Sequence, residues 1–192
     1  TLPQATEEAM LTAIDTLTRL LWQAQKRGCK RACQEMSGEI VESGVVIELL
    51  QSRSSRVRQH VIELLITLDD YLTTDPQLHT LFSKLLSTDS DSGVRACIVY
   101  AYGQVGARWA IPELIHTLLD PDEHIARTAL GALAQIATPD DTLIAYVISE
   151  LANLHNGDDQ PTNTLAYEAW MIMKKWQKAE PDEAQGKLHS FS

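Results

Sequence analysis

The chain has 192 residues, of which 44% are apolar and 22% are charged, proportions that argue against wholesale disorder and favour one domain or one continuous repeat array. Its 26 acidic and 16 basic residues give a net charge of −10, which disfavours a dedicated nucleic-acid binder with a broadly basic surface. No apolar run approaches the roughly 18 residues that a membrane-spanning helix needs. The three cysteines are too few for a disulfide framework, so we expect a cytoplasmic protein.

Residues 1–38 are expected to form an N-terminal capping helix and a connection. Residues 5–27 have helical periodicity, with the acidic Glu7 and Glu8 near the start. Six apolar residues fall largely on one face of this helix: Ala9, Ala13, Leu17, Leu20, Leu21 and Ala24. We expect this face to cover the first repeat, as the terminal helix of a repeat array must. Between Gly28 and Gly38 the periodicity is lost, and both a short helix and a loop fit the sequence.

Four later segments repeat one apolar pattern. They begin at Val57, Val94, Ile125 and Leu165, at intervals of 37, 31 and 40 residues. Apolar residues recur at the first, fifth, eighth and ninth positions, which is helical spacing, and the sixth position is also apolar. The fourth segment keeps the pattern more weakly. Such a wide apolar stripe suits a helix that packs against its own partner and against neighbouring repeats.

A second periodic run precedes each of these segments, so the repeats are predicted to be helical pairs. The first helices are expected at residues 45–50, 78–86, 111–119 and 143–151. Pro76 and Pro112 fall near the first turn of two of them, where the missing N–H of proline costs little. Polar turns separate the helices of each pair at residues 51–56, 88–93, 120–123 and 155–162. Because no segment alternates with period two, the chain is predicted to be all-α.

The two middle pairs carry a family resemblance. The third pair has Ile111-Pro112 in its first helix and Asp120 in its turn, and the second pair has Asp89 followed by Val94-Arg95. These units resemble the HEAT repeat, and more narrowly the short HEAT-like units named after phycobilisome lyases, over residues 39–177. The resemblance implies an α-α superhelix, or solenoid, of about four helical hairpins. Its first helices would form a convex layer and its second helices would line a concave one.

The resemblance also implies structural pairing between turn aspartates and helix arginines. The residues at these positions are Asp89, Arg95, Asp120 and Arg127. Ser52 and Gln160 stand where the other two turns should have aspartate. In the third unit Ala126 occupies the arginine position, and Arg127 follows one residue later. We expect Asp89 and Arg95 to serve the scaffold.

Motifs for catalysis and cofactor binding are missing from the sequence. It contains no glycine-rich phosphate loop and no nucleophile elbow. Cys29 and Cys33 are four residues apart, and no second pair completes a zinc site. A single His-x-x-Glu, formed by His60 and Glu63, is common by chance, and the His-Glu dipeptides of HEAT-like di-iron hydroxylases are absent. We therefore expect no enzyme activity, no cofactor and no metal.

The concave face is the expected binding site. Outward positions of the second helices combine aromatic, charged and amide side chains, a composition suited to protein recognition. The candidate residues are His60, Glu63, Tyr100, Gln104, Arg127, Gln135, Tyr167 and Met171. The favoured function is a non-catalytic scaffold that binds another protein, or another domain of the parent chain.

Two alternative functions stay open. The lyase-type resemblance implies a lyase or chaperone-like subunit that acts on a tetrapyrrole-bearing protein. Nucleic-acid binding would use a basic segment containing Lys26, Arg27, Lys30 and Arg31. The charge is uneven, since residues 1–60 carry +1 and residues 61–192 carry −11, but basic residues also favour the C-terminal end of a helix. Residues 178–192 are expected to form a flexible tail.

Overall fold

The computed structural model describes residues 4–137, 141–154 and 164–179, and the regular structure in these ranges is entirely helical. Its α-helices are α1 (Gln4–Lys26), α2 (Lys30–Glu42), α3 (Val45–Leu50), α4 (Ser55–Thr67), α5 (Asp69–Thr74), α6 (Pro76–Thr88), α7 (Ser92–Gln104), α8 (Ile111–Thr117), α9 (Glu123–Ile136), α10 (Thr142–Asn153) and α11 (Thr164–Ala179). A 3-10 turn at Arg108–Ala110 precedes α8. The predicted all-α class is confirmed.

The helices follow the order of the predicted pairs. The pairs are α3 with α4, α6 with α7, α8 with α9, and α10 with α11. Helix α2 crosses the segment that fitted either a helix or a loop, and the short α5 between the first two pairs was not predicted. The expected turn at 155–162 and residues 180–192 of the expected tail lie outside the described residues.

The chain divides into two compact units, an N-terminal unit (Thr1–Glu113) and a C-terminal unit (Leu114–Ser192). In the N-terminal unit, α4 packs between α1 and α7, while α3 packs on α4 and α6 packs on α7. In the C-terminal unit, α11 packs against both α9 and α10. The second helices α4 and α7 therefore form one layer with α1 in the N-terminal unit, and α9 lies beside α11 in the C-terminal unit.

One hydrogen bond shapes the turn of three successive pairs. It runs from Ser54 N–H to Ser52 Oγ (3.3 Å), from Asp91 N–H to Asp89 Oδ1 (3.0 Å) and from Asp122 N–H to Asp120 Oδ1 (2.8 Å). The donor residue then caps the second helix through its own side chain. Ser52 thus makes the turn hydrogen bond in place of the expected aspartate, although it brings no charge.

Two glycines end helices where only a left-handed backbone closes the last turn. Gly28 after α1 and Gly106 after α7 have φ values of 74° and 63°. The residue after each glycine donates its N–H to a carbonyl five residues earlier, as in a Schellman motif: Cys29 to Ala24, and Ala107 to Tyr102. A residue with a side chain would be strained at either glycine.

The repeated apolar positions form the core. The first, fifth, eighth and ninth residues of the pattern are all buried in α4, α7 and α9: Val57, Val61, Leu64, Leu65, Val94, Ile98, Ala101, Tyr102, Ile125, Ala129, Ala132 and Leu133. In α11 only Ala169 of the corresponding residues is buried, while Leu165, Ile172 and Met173 are half-buried. The weaker pattern of the fourth segment therefore corresponds to a looser core.

Helix α1 buries only part of the face that was expected to cover the repeats. Leu11, Ile14 and Leu21 are buried, whereas Ala9 and Ala13 are exposed, and Leu20 is 50% exposed. The prediction omitted Leu11 and Ile14, whose large side chains bury more apolar area than Ala9 and Ala13 would. The expected face was therefore wrong in part: Leu21 is buried and Leu17 and Ala24 are half-buried, while Ala9, Ala13 and Leu20 lie outward.

Candidate functional site

Helices α4 and α7 hold the four candidate binding residues of the N-terminal unit. His60 and Glu63 lie on α4, and Tyr100 and Gln104 lie on α7, which packs beside it. Tyr100 is 51% exposed, Glu63 and Gln104 are exposed, and His60 is half-buried. We call these outward-facing residues of α4 and α7 the second-helix surface of the N-terminal unit.

Contacts between neighbouring helices fix several side chains of this surface. The Nδ1 of His60 lies 2.8 Å from the Arg56 carbonyl, and its Nε2 lies 3.4 Å from an oxygen of Asp15 on α1. A carbonyl only accepts, so Nδ1 donates to it, and Nε2 attracts the Asp15 carboxylate only when the ring is protonated. The His60 ring therefore lies between α4 and α1 instead of extending into solvent.

A second set of contacts joins α4 to α7. The side-chain amide of Gln59 donates to Asp91 Oδ1 at 3.1 Å, next to the start of α7. Burial, followed by the charges of Glu63 and Asp91, raises the pKa of the Cys97 thiol on the same surface. A raised pKa keeps a thiol protonated, so Cys97 lacks the thiolate character of a catalytic cysteine.

The C-terminal unit holds the other four candidates on α9 and α11. Arg127 on α9 donates from Nε to Glu168 Oε1 on α11 at 2.6 Å, and its Nη2 contacts the same carboxylate oxygen. The hydrogen bond from Arg127 to Glu168, followed by their attraction, raises the pKa of Arg127. Met171 is 48% exposed, Gln135 is exposed, and Tyr167 is half-buried with its ring 6.0 Å from that of Trp170. These residues form the second-helix surface of the C-terminal unit.

The turn aspartate Asp89 makes a buried ion pair, and its partner is Arg58. Arg58 donates from Nε and Nη2 to the two carboxylate oxygens, each at 2.7 Å, and from Nη1 to the Ser52 carbonyl at 2.7 Å. Arg95 makes the corresponding backbone bond one repeat later, from Nη1 to the Asp89 carbonyl at 2.9 Å. Arg58 and Arg95 occupy the same position of their helices, so one device recurs in two repeats.

Comparison with known proteins agrees with this geometry. A family model described as HEAT repeats matches residues 78–169. This chain contains HEAT repeats. The matched HEAT segment begins in α6 and ends within α11, and it does not assign the chain to the phycobilisome-lyase type. No curated protein matches the sequence.

HEAT repeats generally act as scaffolds for protein–protein interaction, and the predicted site residues of this HEAT chain lie on its second helices. The structure brings His60 and Glu63 to the same surface as Tyr100 and Gln104, and it joins the helix of Arg127 to that of Tyr167 and Met171. For Arg127 the ion-pair partner is a glutamate of another helix, not a turn aspartate. Asp120 uses its carboxylate in the turn.

Sequence reasoning missed two contributors to the HEAT framework. Arg58 was not predicted as a partner of Asp89, although Val57-Arg58 aligns with Val94-Arg95 and could have indicated it. Helix α1 was expected only to cap the array, yet it contacts the second-helix surface through Asp15 and through Glu8, whose Oε1 accepts from Arg56 at 2.8 Å. No local pattern signals contacts between residues so far apart in the chain.

A cluster of aromatic rings lies on the buried side of α7 in the N-terminal unit. The ring of His79 stacks on Trp109 at 3.8 Å, and Trp109 packs edge-on against Tyr102 at 4.9 Å. The hydroxyls of Tyr102 and Ser83 both lie within hydrogen-bond distance of Glu113 Oε2, at 3.3 and 2.9 Å. Burial, and next the charge of Glu113, raises the pKa of Tyr102, so this phenol remains neutral. The cluster joins α6, α7 and the 3-10 turn.

Two properties of the described ranges bear on other functions. Across residues 4–137, 141–154 and 164–179, no group of three or more histidine, cysteine or acidic residues is placed to hold a metal ion. Within the same ranges, none of the helices is both long enough and apolar enough to cross a bilayer.

Proposed function

We propose that this HEAT-repeat chain is a non-catalytic scaffold that binds a partner protein through its second-helix surfaces. The observation that carries the proposal is the exposure of Tyr100 and Met171, at 51% and 48%, on helices whose opposite sides are packed. Exposed aromatic and methionine side chains are enriched in protein interfaces, and tyrosine is a frequent source of binding energy.

The polar part of these surfaces is already ordered, which supports a binding role. The Arg127–Glu168 pair holds a guanidinium on α9, and the Gln59–Asp91 bond holds an amide beside α7. A partner that meets ordered side chains loses less conformational entropy on binding than one that must order them. Fixed polar groups around a few exposed apolar ones therefore favour recognition of a protein surface.

The thiols support placement of the scaffold in a reducing compartment such as the cytoplasm. All three cysteines are free: Cys33 is buried, Cys29 is exposed and Cys97 has a raised pKa. An exposed free thiol such as that of Cys29 persists where disulfide formation is suppressed.

Affinity purification from a lysate of the source organism tests the proposal. The bait is the tagged protein or a triple variant with Tyr100→Ala, Arg127→Ala and Tyr167→Ala, which removes anchors from both surfaces. The matched control has three exposed first-helix residues replaced, Gln77→Ala, Lys84→Ala and Glu150→Ala. Thermal unfolding checks that each variant is folded. We expect the wild type and the control to retain a specific partner that the triple variant loses, and equal retention by all three would contradict the proposal.

A further inference from the structure

Helix α1 extends the layer of second helices in the N-terminal unit. Contacts from its successive turns follow α4 in the same direction: Glu8 reaches Arg56, Asp15 reaches His60, and Gln25 donates to the Thr67 carbonyl at 2.8 Å. The two helices therefore run parallel, and the row that begins with Glu8 and Asp15 borders the second-helix surface. In an α-helix this row continues through Arg19, Trp22 and Lys26.

The second half of this row is exposed and basic. Trp22 is 52% exposed, and Arg19 and Lys26 are also exposed. The ammonium of Lys26 lies over the Trp22 ring, 5.3 Å from its centroid. Among the described residues, no carboxylate lies within ion-pair distance of Arg19 or Lys26. A half-exposed indole between two such cations is a surface to which apolar and anionic groups can bind together.

The charge of the surrounding sequence favours an acidic ligand at this point. Residues 16–34 contain five basic residues and no acidic one, within a chain whose net charge is −10. An acidic segment is repelled by most of the chain and attracted here, and such complementarity mainly sets specificity and association rate. We propose that Arg19, Trp22 and Lys26 form a docking stripe for an acidic segment of the partner protein, with an apolar side chain among its carboxylates.

The dimensions of the stripe favour a short protein segment over a nucleic acid. Arg19 and Lys26 are seven residues apart, about 10 Å along the helix axis. A nucleic-acid backbone is charged along its whole length, and in the direction past Arg19 it would meet Asp15 and Glu8, which repel it. A few carboxylates around one apolar side chain match the extent of the stripe. This inference rests on the proposed function, since it names the chemistry of the partner that the scaffold binds.

Peptide selection tests the stripe directly. Random 12-residue peptides are displayed and selected on the immobilised wild-type protein, with counter-selection on the double variant Trp22→Ala/Lys26→Ala. We expect the recovered peptides to be net acidic and to carry an aromatic or aliphatic residue beside Asp or Glu. Selection that recovers no peptide with a preference for the wild type, or only neutral or basic ones, would overturn the proposal.

Fluorescence anisotropy on one synthesised peptide then assigns the contacts. Trp22→Ala and, separately, Lys26→Glu should each raise Kd by about tenfold or more, as is usual for a central interface anchor. The control Lys84→Glu changes the net charge by the same amount at an exposed side chain of α6 and should leave Kd within about twofold. Equal effects of Lys26→Glu and Lys84→Glu would show that only overall charge matters and would refute the stripe.

Two further measurements separate this inference from the proposed function. In a second selection without counter-selection, peptides whose binding depends on Tyr100 but not on Trp22 would support the second-helix surface as a binding site and refute the stripe. Binding that neither Tyr100→Ala nor Trp22→Ala weakens would refute both. A 12-nucleotide oligothymidine probe that binds more tightly than the peptide, with loss on Lys26→Glu, would assign the stripe to nucleic acid and overturn the proposal.

Discussion

The two units of the molecule each contain an arginine–carboxylate pair between second helices or their turns, and the pairs differ in burial. In the N-terminal unit, the Arg58 and Asp89 side chains are 11% and 3% exposed, and the guanidinium contacts both carboxylate oxygens. In the C-terminal unit, the Arg127 and Glu168 side chains are 45% and 29% exposed. Mutation of one partner should therefore destabilise the fold more in the buried pair than in the exposed pair, because it leaves an uncompensated charge away from water.

A shift of one residue accounts for this difference. Arg58 and Arg95 follow the first apolar residue of their pattern directly, where Ala126 stands in the third repeat. Arg127 lies one position later, which rotates its side chain by about 100° around the helix, from the packed side toward solvent. Ala126 is buried, and Arg127 reaches across to α11 at the surface. An arginine directly after the first apolar residue thus belongs to the scaffold, and an arginine one position later belongs to the candidate binding surface.

The largest effect is expected from Asp89→Asn. Asparagine can still accept the Asp91 N–H in the turn, but it leaves the buried Arg58 guanidinium without a counter-charge. We expect the free energy of unfolding, measured by urea denaturation, to fall by about 3–5 kcal/mol. Glu168→Gln, the equivalent change in the exposed pair, should cost less than about 1 kcal/mol.

The double variant Arg58→Met/Asp89→Asn separates the charge from the packing. Methionine occupies part of the space of the arginine stem and needs no counter-ion, so the double variant should recover most of the stability that Asp89→Asn loses. This variant also serves if Asp89→Asn does not fold. A double variant no more stable than Asp89→Asn would show that the packing of Arg58, not its charge, dominates.

Much of the fold was accessible from the sequence because amphipathic periodicity is a local signal. The apolar stripes of α4, α7 and α9 predict both the helices and their buried sides, and Asp75-Pro76 predicts the start of α6, where Asp75 accepts the Gln77 N–H at 2.8 Å. The short α5 gave no such signal, since Tyr71 and Leu72 are its only apolar residues and two adjacent residues define no helical period. The orientation of α1 was predicted only in part, because its apolar residues extend over two sides and tertiary packing selects which of them are buried.

The candidate site was accessible in part for the same reason. Residues opposite a buried stripe must face outward, so periodicity alone places Tyr100 and Met171 at the surface. Their neighbours could not be derived in this way, because Arg58 and Asp89 lie 31 residues apart and no helix periodicity relates them. Trp22 was missed because a tryptophan is more often packed than exposed, and its exposure depends on which side of α1 faces α4.

The helix caps offer a second comparison of the units. Asp91 caps α7, and its pKa is lowered first by a hydrogen bond from the Ser55 side chain and then by the Val94 N–H. Asp122 caps α9 through the His124 N–H at 3.0 Å. We expect Asp91→Ala to cost about 0.5–2 kcal/mol by urea denaturation, and more than Asp122→Ala, since Asp91 also accepts from Gln59.

The lowered pKa of Asp91 makes the stability of the fold depend on pH in the acid range. A carboxyl whose pKa is lower in the folded than in the unfolded state stabilises the fold above its unfolded pKa of about 3.9 and loses that contribution as pH falls through the folded pKa. Asp91→Asn cannot titrate, so the stability difference between wild type and variant should shrink as pH falls below about 4. A difference that stays constant down to about pH 2 would show that the charge of Asp91 contributes nothing.

Replacement by alanine should affect stability differently at two helix glycines. A Cβ on Gly131 in α9 meets nothing within 4 Å, so Gly131→Ala should raise stability by about 0.5–1 kcal/mol through helix propensity. A Cβ on Gly93 in α7 would lie 2.5 Å from Gln59 Nε2 and 3.0 Å from Asp91 Oδ1. Gly93→Ala must displace the Gln59 amide and weaken its bond to Asp91, so thermal unfolding should show no gain. A gain equal to that of Gly131→Ala would mean that this bond adds no stability.

The smallest change in stability is expected from Arg127→Ala, and this variant relates the exposed pair to function. Its ion pair with Glu168 is exposed to solvent and salt, so its loss should lower the free energy of unfolding by only about 0.2–1 kcal/mol, and by less at high salt.

If Arg127 belongs to a binding surface, the same variant should weaken capture of a partner much more than it weakens the fold. Glu168→Gln is the matched comparison, since it removes the pair and leaves the guanidinium available to a partner. Loss of partner binding in both variants would indicate that the pair positions Arg127, whereas loss in Arg127→Ala alone would indicate that the guanidinium itself contacts the partner. Unchanged binding in both would remove Arg127 from the surface and leave its pairing as a minor contribution to the packing of α9 on α11.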